Sequence, residues 1–387
     1  MATGIDAQTI EPVNPSEPEA NKLFRMVMKH KGSDLHLKVG VSPAMRLTGV
    51  LRQMQLPPLT TADMERLMFP LLSARQKKIL EEEGGVDFAH ILTEPDGLET
   101  RFRVNLFRQR GKLSLVARRV NNQVPDFEGL GLPPVLAEIA SHDQGIVILA
   151  GVTGSGKSTT IASMLEYVNA RERCNIVTIE DPIEFTFVDK KSIVHQREVG
   201  IDVIDWDTAL KHAVRQDPDI ILVGEMRDRD TFNAAMHAAE TGHLVFGTIH
   251  ASSAPSTIGR ILDLFPRDMH PALRQSMAFN LQAIIAQKLL PTAKDWAEKT
   301  GQTRIPTCEI MRTSPTVRKL ILNEEDGKLG DAIRIGKEDG MQDFTESLKQ
   351  LVQAEKVERA TAFEVAPSPE ALKMALKGIT IAQPGIL

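Results

Sequence analysis

The chain has 387 residues, 42% of them hydrophobic and 25% charged, which is ordinary for a water-soluble protein of two or three domains. A net charge of −5 gives no general attraction to nucleic acid, and Cys174 and Cys308 form no C-x-x-C pair that could hold structural zinc. Because no apolar run is long enough to span a membrane and no signal peptide is recognisable, we expect a cytoplasmic protein without a transmembrane segment.

The first third of the chain has an α+β pattern. Residues 1–22 are rich in Pro, Glu and Asn and are predicted to form a disordered lead. A smaller domain is predicted at 23–121. Its predicted elements are a strand at 34–39, a hairpin arm at 43–51, helices within 61–83, and strands at 100–107 and 112–120.

A larger domain is predicted at 135–357, after a linker at 122–134 that is dense in Pro and Gly. Continuous apolar strands alternate with helices there, which predicts a parallel sheet covered on both faces. From about residue 255 the pattern is predicted to be helical, and 358–387 forms a tail with a helical stretch at 369–377. The predicted strands are 146–150, 176–179, 220–223 and 244–248.

Residues 151–158 match G-x-x-x-x-G-K-[ST], the phosphate-binding P-loop, between a predicted buried strand and a predicted helix. Its glycines allow backbone N–H groups to surround an anion, and the helix places its positive end there. Lys157 would reach the phosphates of ATP or GTP, and Ser158 would bind Mg²⁺. The predicted nucleotide-binding residues are Gly151, Val152, Thr153, Gly154, Ser155, Gly156, Lys157, Ser158 and Thr159.

Carboxylates follow two of the predicted parallel strands. Glu180, Asp181 and Glu184 come after the second strand, where they could orient water and hold Mg²⁺ through its waters; alternatively they form a solvated acidic loop. Glu225 ends the third strand, at the position where P-loop ATPases usually have a metal-supporting Asp. Its extra methylene suits a contact with Mg²⁺ through water.

Histidines and arginines complete the set of candidates. His250 ends the fourth strand and is either a γ-phosphate sensor or a structural residue, and His243, before that strand, could support the site indirectly. Arg101 and Arg103 lie on a predicted strand of the first domain. They are either solvated surface residues or charges that act on the site of a neighbouring subunit.

Together these blocks resemble the type IV pilus retraction motors, the PilT-like branch of the secretion-superfamily ATPases. The resemblance extends over roughly residues 23–355. It is carried by 33–37, 101–105, the P-loop, 178–184, 196–199, 217–228, 241–250 and 340–342.

The resemblance implies a homo-hexamer in which a PAS-like N-terminal domain precedes a RecA-like ATPase domain. It assigns Lys157 and Ser158 to phosphate and Mg²⁺, Glu184 to the general base, Glu225 to the metal-supporting strand and His250 to the sensor. It assigns Arg101 and Arg103 to charges acting in trans. ATP hydrolysis would then drive pilus retraction, as in twitching motility, through an inner-membrane platform protein.

Three alternatives remain open from the sequence. Residues 314–321 match the family's Ala-Ile-Arg-Asn-Leu-Ile segment only loosely, which fits an accessory motor that depends on a main retraction ATPase. A RecA-like motor that translocates nucleic acid is the second alternative, and the acidic composition disfavours it. The third is an interaction protein that binds nucleotide as a switch and does not hydrolyse it.

Overall fold

The computed structural model describes residues 17–93, 97 and 99–379. The chain divides between Asn122 and Gln123 into two compact units. Of the predicted disordered lead at 1–22, residues 1–16 lie outside the described residues, as does the end of the predicted tail from residue 380.

The first unit is an antiparallel sheet with helices against one face. Strand order is β3-β2-β1-β6-β5-β4, and core residues such as Phe24, Leu35 and Phe102 are fully buried between sheet and helices. The elements are α1 (Asn21–Lys29), β1 (Asp34–Lys38), β2 (Ala44–Leu47), β3 (Val50–Gln53), α2 (Thr61–Met68), α3 (Ala74–Glu83), β4 (Gly85–Thr93), β5 (Glu99–Gln109) and β6 (Lys112–Arg119).

Two details of this unit differ from the sequence prediction. The hairpin arm predicted at 43–51 covers both β2 and the start of β3, joined by a turn at Thr48 and Gly49, which both have positive φ. Strand β4 was not predicted. Its burial alternates only in part, because it lies at the edge of the sheet, so its sequence carries a weak period-2 signal.

The second unit contains a seven-stranded sheet of order β13-β12-β7-β11-β10-β8-β9, parallel except where β12 pairs with β13. Its strands are β7 (Gly145–Ala150), β8 (Asn175–Glu180), β9 (Ile193–Glu198), β10 (Ile220–Val223), β11 (Leu244–Ile249), β12 (Leu281–Pro291) and β13 (Arg304–Arg312).

Helices cover both faces of this sheet. The helices of this unit are α4 (Phe127–Leu130), α5 (Val135–Ala140), α6 (Lys157–Asn169), α7 (Trp206–Ala213), α8 (Arg229–Glu240), α9 (Ala254–Leu262), α10 (His270–Asn280), α11 (Lys294–Thr300), α12 (Pro315–Leu322), α13 (Leu329–Ile335), α14 (Phe344–Gln353), α15 (Arg359–Val365) and α16 (Pro369–Leu376).

The predicted two-sided α/β sheet is confirmed. Alternate residues of β7 enter two separate cores: Ile146 and Ile148 pack with α8–α10, whereas Val147 and Leu149 pack with α5 and α6. Such burial on both faces explains why the strands have continuous apolar sequences.

The prediction of a helical pattern from about residue 255 is wrong for β12 and β13. Seven consecutive residues of β12 from Ala283 to Leu289 are mostly apolar, so periodicity alone cannot distinguish a buried strand from a buried helix. The strand is identified by its pairing with β7, which no local pattern contains.

Short helices occupy the predicted linker and tail. In the linker, α4 packs through Phe127, which stacks on Tyr167 of α6 with ring centroids 5.3 Å apart. In the tail, α16 buries Leu372 in a small apolar cluster with α14. Within the residues that the structure describes, there is no helix with the length and apolar content needed to cross a membrane.

Candidate nucleotide-binding site

The P-loop connects the fully buried strand β7 to helix α6, which begins at Lys157. Gly156 has a left-handed backbone with φ of 88°, and a Cβ there would lie 2.8 Å from Nε2 of Gln287. A Cβ on Gly151 would lie 2.6 Å from the backbone oxygen of Gln287. The tight course of the loop therefore requires glycine at both positions.

Lys157 is buried at the start of α6. Its Nζ donates hydrogen bonds to the carbonyl oxygens of Gly151 at 2.8 Å and Val152 at 3.1 Å. Burial lowers the pKa of Lys157, while the nearby carboxylates of Glu225 and Glu184 act in the opposite direction. The P-loop lysine and these two carboxylates, which come from three separate segments, thus share one electrostatic environment.

Lys157, Glu184 and Glu225 line a cavity of about 500 Å³, a volume within the range of small-molecule binding sites. One wall is the P-loop, another is the acidic loop after β8, and a third is formed by the ends of β10 and β11. In parallel sheets, ligands bind beyond the carboxyl ends of the strands, and all three walls lie there.

The segments that follow β10 and β11 contact each other beside the cavity. Nε2 of His250 lies 3.1 Å from Oε1 of Glu225. The Thr248 hydroxyl donates to the carbonyl oxygen of Gly224 at 2.6 Å. Arg227 then links two walls, because its guanidinium lies 3.5 Å from Oε2 of Glu225 and 3.6 Å from Oδ2 of Asp181.

A second network orders the acidic loop. Gln196 of β9 donates from Nε2 to Oε1 of Glu180 at 3.1 Å and to the carbonyl oxygen of Phe185 at 2.8 Å, and it accepts from the backbone N–H of Phe187. Thr178 also donates to Oε1 of Glu180, at 2.6 Å. Burial raises the pKa of Glu180 to about 7, although these hydrogen bonds oppose the shift. Gln196 therefore holds both flanks of the segment that carries Glu184.

Most of the predicted site residues line the cavity, and a few do not. Gly151 packs against β12, Val152 is 66% exposed, and Ser155 is buried beneath the loop. Arg101 and Arg103 belong to the first unit, on β5. The lining residues that were predicted are Thr153, Gly154, Gly156, Lys157, Ser158, Thr159, Glu184, Glu225 and His250.

The suggested supporting role of His243 is wrong. His243 precedes β11 and bonds through Nδ1 to the carbonyl oxygen of Ala238, at the end of α8. It lies at the opposite end of the strand from His250, about 23 Å away at the usual rise per residue. Its contacts are those of a residue that closes the turn between α8 and β11.

Sequence reasoning also missed Gln287, which lies on the unpredicted strand β12 and contacts the P-loop from below. Arg227 was visible in the sequence as the residue two positions after Glu225, but nothing in the sequence indicated that it contacts Asp181. Both contacts depend on strand order, which a single sequence does not reveal.

The donors around the cavity fit the phosphates of a nucleotide with Mg²⁺. Backbone N–H groups and Lys157 are suited to anionic oxygen, and Ser158 and Glu225 supply oxygen ligands beside them. Among the described residues, no cluster of three His, Cys, Asp or Glu side chains could hold a metal by itself. Ser158 and Glu225 would leave most ligand positions of a Mg²⁺ ion to phosphate oxygens and water.

A phosphate-binding loop between a buried parallel strand and a helix, with carboxylates and a histidine on neighbouring strand ends, defines a P-loop nucleotide-binding protein. The model of the family described as Type II/IV secretion system protein matches residues 10–359, and the chain belongs to that family.

Similarity within the family extends along nearly the whole chain. The type IV pilus retraction ATPase PilT of Pseudomonas aeruginosa is 40% identical over 352 residues, which are 91% of this chain and 99% of the relative. The type IV pilus ATPase PilU of the same organism is 35% identical over 359 residues, which are 93% of this chain and 91% of that relative. The crystal structure of the pilus retraction motor PilT with bound ADP aligns with a TM-score of 0.81 at 38% identity, covering 91% of this chain and 98% of that one.

Proposed function

We propose that the protein is a hexameric ATPase that drives type IV pilus retraction. The observation that carries the ATPase part is the meeting of Lys157, Glu184, Glu225 and His250 around one cavity at the carboxyl ends of parallel strands. The pilus part is supported by similarity to PilT, which covers 99% of that relative's length.

Within this proposal each group has a distinct task. The P-loop backbone and Lys157 bind and orient the β- and γ-phosphates of ATP, and Glu184 accepts the proton of the attacking water. His250 senses the γ-phosphate, and its contact with Glu225, 3.1 Å from Nε2 to Oε1, transmits that state to the adjacent strand end. Mg²⁺, held by Ser158 and through water by Glu225, would supply positive charge for the phosphates.

Arg101 and Arg103 are proposed to complete the site of an adjacent subunit. Both lie on β5, whose alternate residues Phe102 and Val104 are buried in the core, so both arginines belong to the opposite face of the sheet. P-loop sites often take an arginine in trans because positive charge is needed as phosphate bonds break.

The domain roles are part of the same proposal. Residues 23–121 act as a PAS-like domain and 135–357 as a RecA-like ATPase domain, joined by 122–134 and followed by a tail at 358–387. Differences between subunits during hydrolysis would then be converted into work on a platform protein at the inner membrane, with the motor on its cytoplasmic side.

A second candidate is an accessory motor that depends on a main retraction ATPase. Two observations favour it: the similarity to PilU, and the divergent segment at 314–321, which forms most of helix α12. A nucleic-acid motor has no such support, given the net charge of −5.

The test combines a biochemical and a cellular measurement. Purified wild-type protein should release phosphate from ATP and form a hexamer by native mass spectrometry, and Lys157→Ala should abolish turnover. In a strain that lacks the gene, wild type should restore pilus retraction and Lys157→Ala should not, whereas Lys299→Ala, on exposed helix α11, controls for loss of a lysine. Retraction that persists in the strain lacking the gene would favour the accessory role, and turnover by Lys157→Ala would overturn the assignment.

A further inference from the structure

We propose that Gln287 is a positioning residue of the nucleotide site, whose carboxamide holds the P-loop in the shape that binds phosphate. The inference rests on the nucleotide-binding part of the proposed function. Gln287 is only 2% exposed, so its polar side chain must be satisfied within the protein.

One side chain ties the loop to the helix that follows it. Nε2 of Gln287 donates to the carbonyl oxygen of Ser155 at 2.7 Å, and Oε1 accepts from the hydroxyl of Thr160 at 2.8 Å. A backbone carbonyl can only accept, so the amide group of Gln287 must point towards Ser155. Ser155 lies in the loop and Thr160 in the first turn of α6, so the carboxamide spans their junction.

The sheet register explains why this residue reaches the loop. Strand β12 pairs with β7 as far as Ala286, which lies opposite Ala150, the last residue of β7. Gln287 is the next residue of β12, level with Gly151. The continuation of β12 beyond the end of β7 therefore forms a wall under the P-loop, and this wall leaves no room for a Cβ at Gly151 or Gly156.

The contact requires glutamine in particular. A glutamate would offer only acceptors when ionised and would face the carbonyl oxygen of Ser155, whereas a leucine would satisfy neither partner. A third partner lies behind the carboxamide: the Cys308 thiol donates to Oε1 of Gln287, with the sulfur 3.9 Å away. Burial raises the pKa of Cys308 to about 12, so the thiol keeps its proton. The surroundings are thus complementary to a neutral amide.

Losing the carboxamide would leave buried groups at Ser155 and Thr160 unsatisfied, and the loop could then relax to other shapes. The cost of restoring the binding shape would appear as weaker nucleotide binding. We expect Gln287→Leu to raise the ADP dissociation constant about tenfold, which corresponds to about 1.4 kcal/mol. Gln287→Glu should weaken binding at least as much, because it keeps the shape and loses the donor.

The experiment is isothermal titration of the purified full chain with Mg–ADP, beside thermal unfolding without nucleotide. Thr160→Val removes the partner hydroxyl and should weaken ADP binding less than Gln287→Leu, while Thr160→Ser should restore it. The double variant Gln287→Leu/Thr160→Val should bind no more weakly than Gln287→Leu alone, since both changes disrupt one contact.

Gln282 provides a matched control. It lies on the same strand about 17 Å away by the usual rise, and its Nε2 also donates to a backbone carbonyl, that of Gln144, at 2.8 Å. Gln282→Leu should leave ADP affinity within twofold of wild type. If Gln287→Leu and Gln287→Glu both fold and bind ADP within twofold of wild type, Gln287 has only a structural role and the inference is wrong. If neither variant folds, the test falls to Thr160→Val, and an unchanged ADP affinity in that variant overturns the inference. If wild type itself does not bind ADP, the proposed function fails and this inference fails with it.

Discussion

The Nε2 atom of His250 lies 3.1 Å from Oε1 of Glu225, so side chains just beyond the ends of two adjacent parallel strands, β10 and β11, touch at the edge of the nucleotide cavity. The contact is supported by Thr248, whose hydroxyl binds the carbonyl oxygen of the residue before Glu225. Substitution of either side chain should therefore change the orientation of the other.

His250→Ala should reduce ATP turnover about 10- to 100-fold, because the carboxylate of Glu225 loses the partner that orients it. ADP affinity should change less than threefold, since the phosphates are bound mainly by the P-loop. In phosphate-release assays, His250→Ala combined with Glu225→Gln should be far from additive. His243→Ala, at the opposite end of the same strand, should keep wild-type turnover; an equal loss there would show that the effect at His250 is not specific.

Glu184→Gln should bind ATP normally and hydrolyse it at least ~100-fold more slowly, because an amide cannot accept the proton of the attacking water. Glu184 is exposed on the loop that Gln196 orders, so the substitution should not disturb packing. ATP binding by calorimetry and single-turnover hydrolysis separate the two steps. Glu172→Gln, another exposed glutamate of this unit, serves as the control. Hydrolysis by Glu184→Gln at more than a tenth of the wild-type rate would require a different base.

Arg103→Ala should reduce ATP turnover, because the missing arginine leaves the nucleotide site of the neighbouring subunit incomplete. In register, Arg103 lies opposite Arg118, which is held by Asp34 at 2.9 Å, whereas Arg103 has no ion pair among the residues that the structure describes. If Arg103 acts in trans, mixing Arg103→Ala with Lys157→Ala should restore part of the turnover, because some interfaces then combine an intact arginine with an intact P-loop.

Arg52→Ala provides the control for this mixing experiment, because Arg52 is an exposed arginine on the far edge strand β3. It should be active without mixing. Absence of any recovery in mixed hexamers, with subunit exchange verified by mass spectrometry, would count against action in trans.

Local patterns predicted the parts of the site that lie on single segments. The P-loop, Glu184, Glu225 and His250 each follow an apolar strand, and in a parallel sheet all such ends share one edge. What could not be predicted depends on strand order. Gln287 is an ordinary residue within an apolar run, and its role appears only because β12 lies beside β7 and extends past it.

The two histidines that flank β11 illustrate the same limit. The sequence places His243 and His250 symmetrically around one strand, but the direction of a parallel strand puts only the second at the ligand-binding edge. Strand β4 was missed for a related reason, since an edge strand with partly exposed faces carries little periodicity.

Glu180→Gln should change how stability depends on pH. Burial raises the pKa of Glu180 from 4.5 to about 7, so the folded state favours the protonated acid. Below pH 4.5 the Glu180 carboxyl is protonated in both the folded and the unfolded state, so its contribution to the free energy of unfolding is fully present. Between pH 4.5 and 7 the unfolded chain releases a proton that the folded chain retains, so this group's contribution to stability is lost as the pH rises.

A neutral glutamine removes that loss, so Glu180→Gln should gain stability relative to wild type as the pH rises from 5 to 8, by at most about 3 kcal/mol. Urea denaturation followed by tryptophan fluorescence measures this, because Trp206 and Trp296 both lie in the unit that contains Glu180. Glu172→Gln controls for the loss of one carboxylate. A stability difference between Glu180→Gln and wild type that stays constant from pH 5 to 8 would mean that Glu180 is ionised in the folded protein throughout, with the Thr178 and Gln196 hydrogen bonds outweighing its burial.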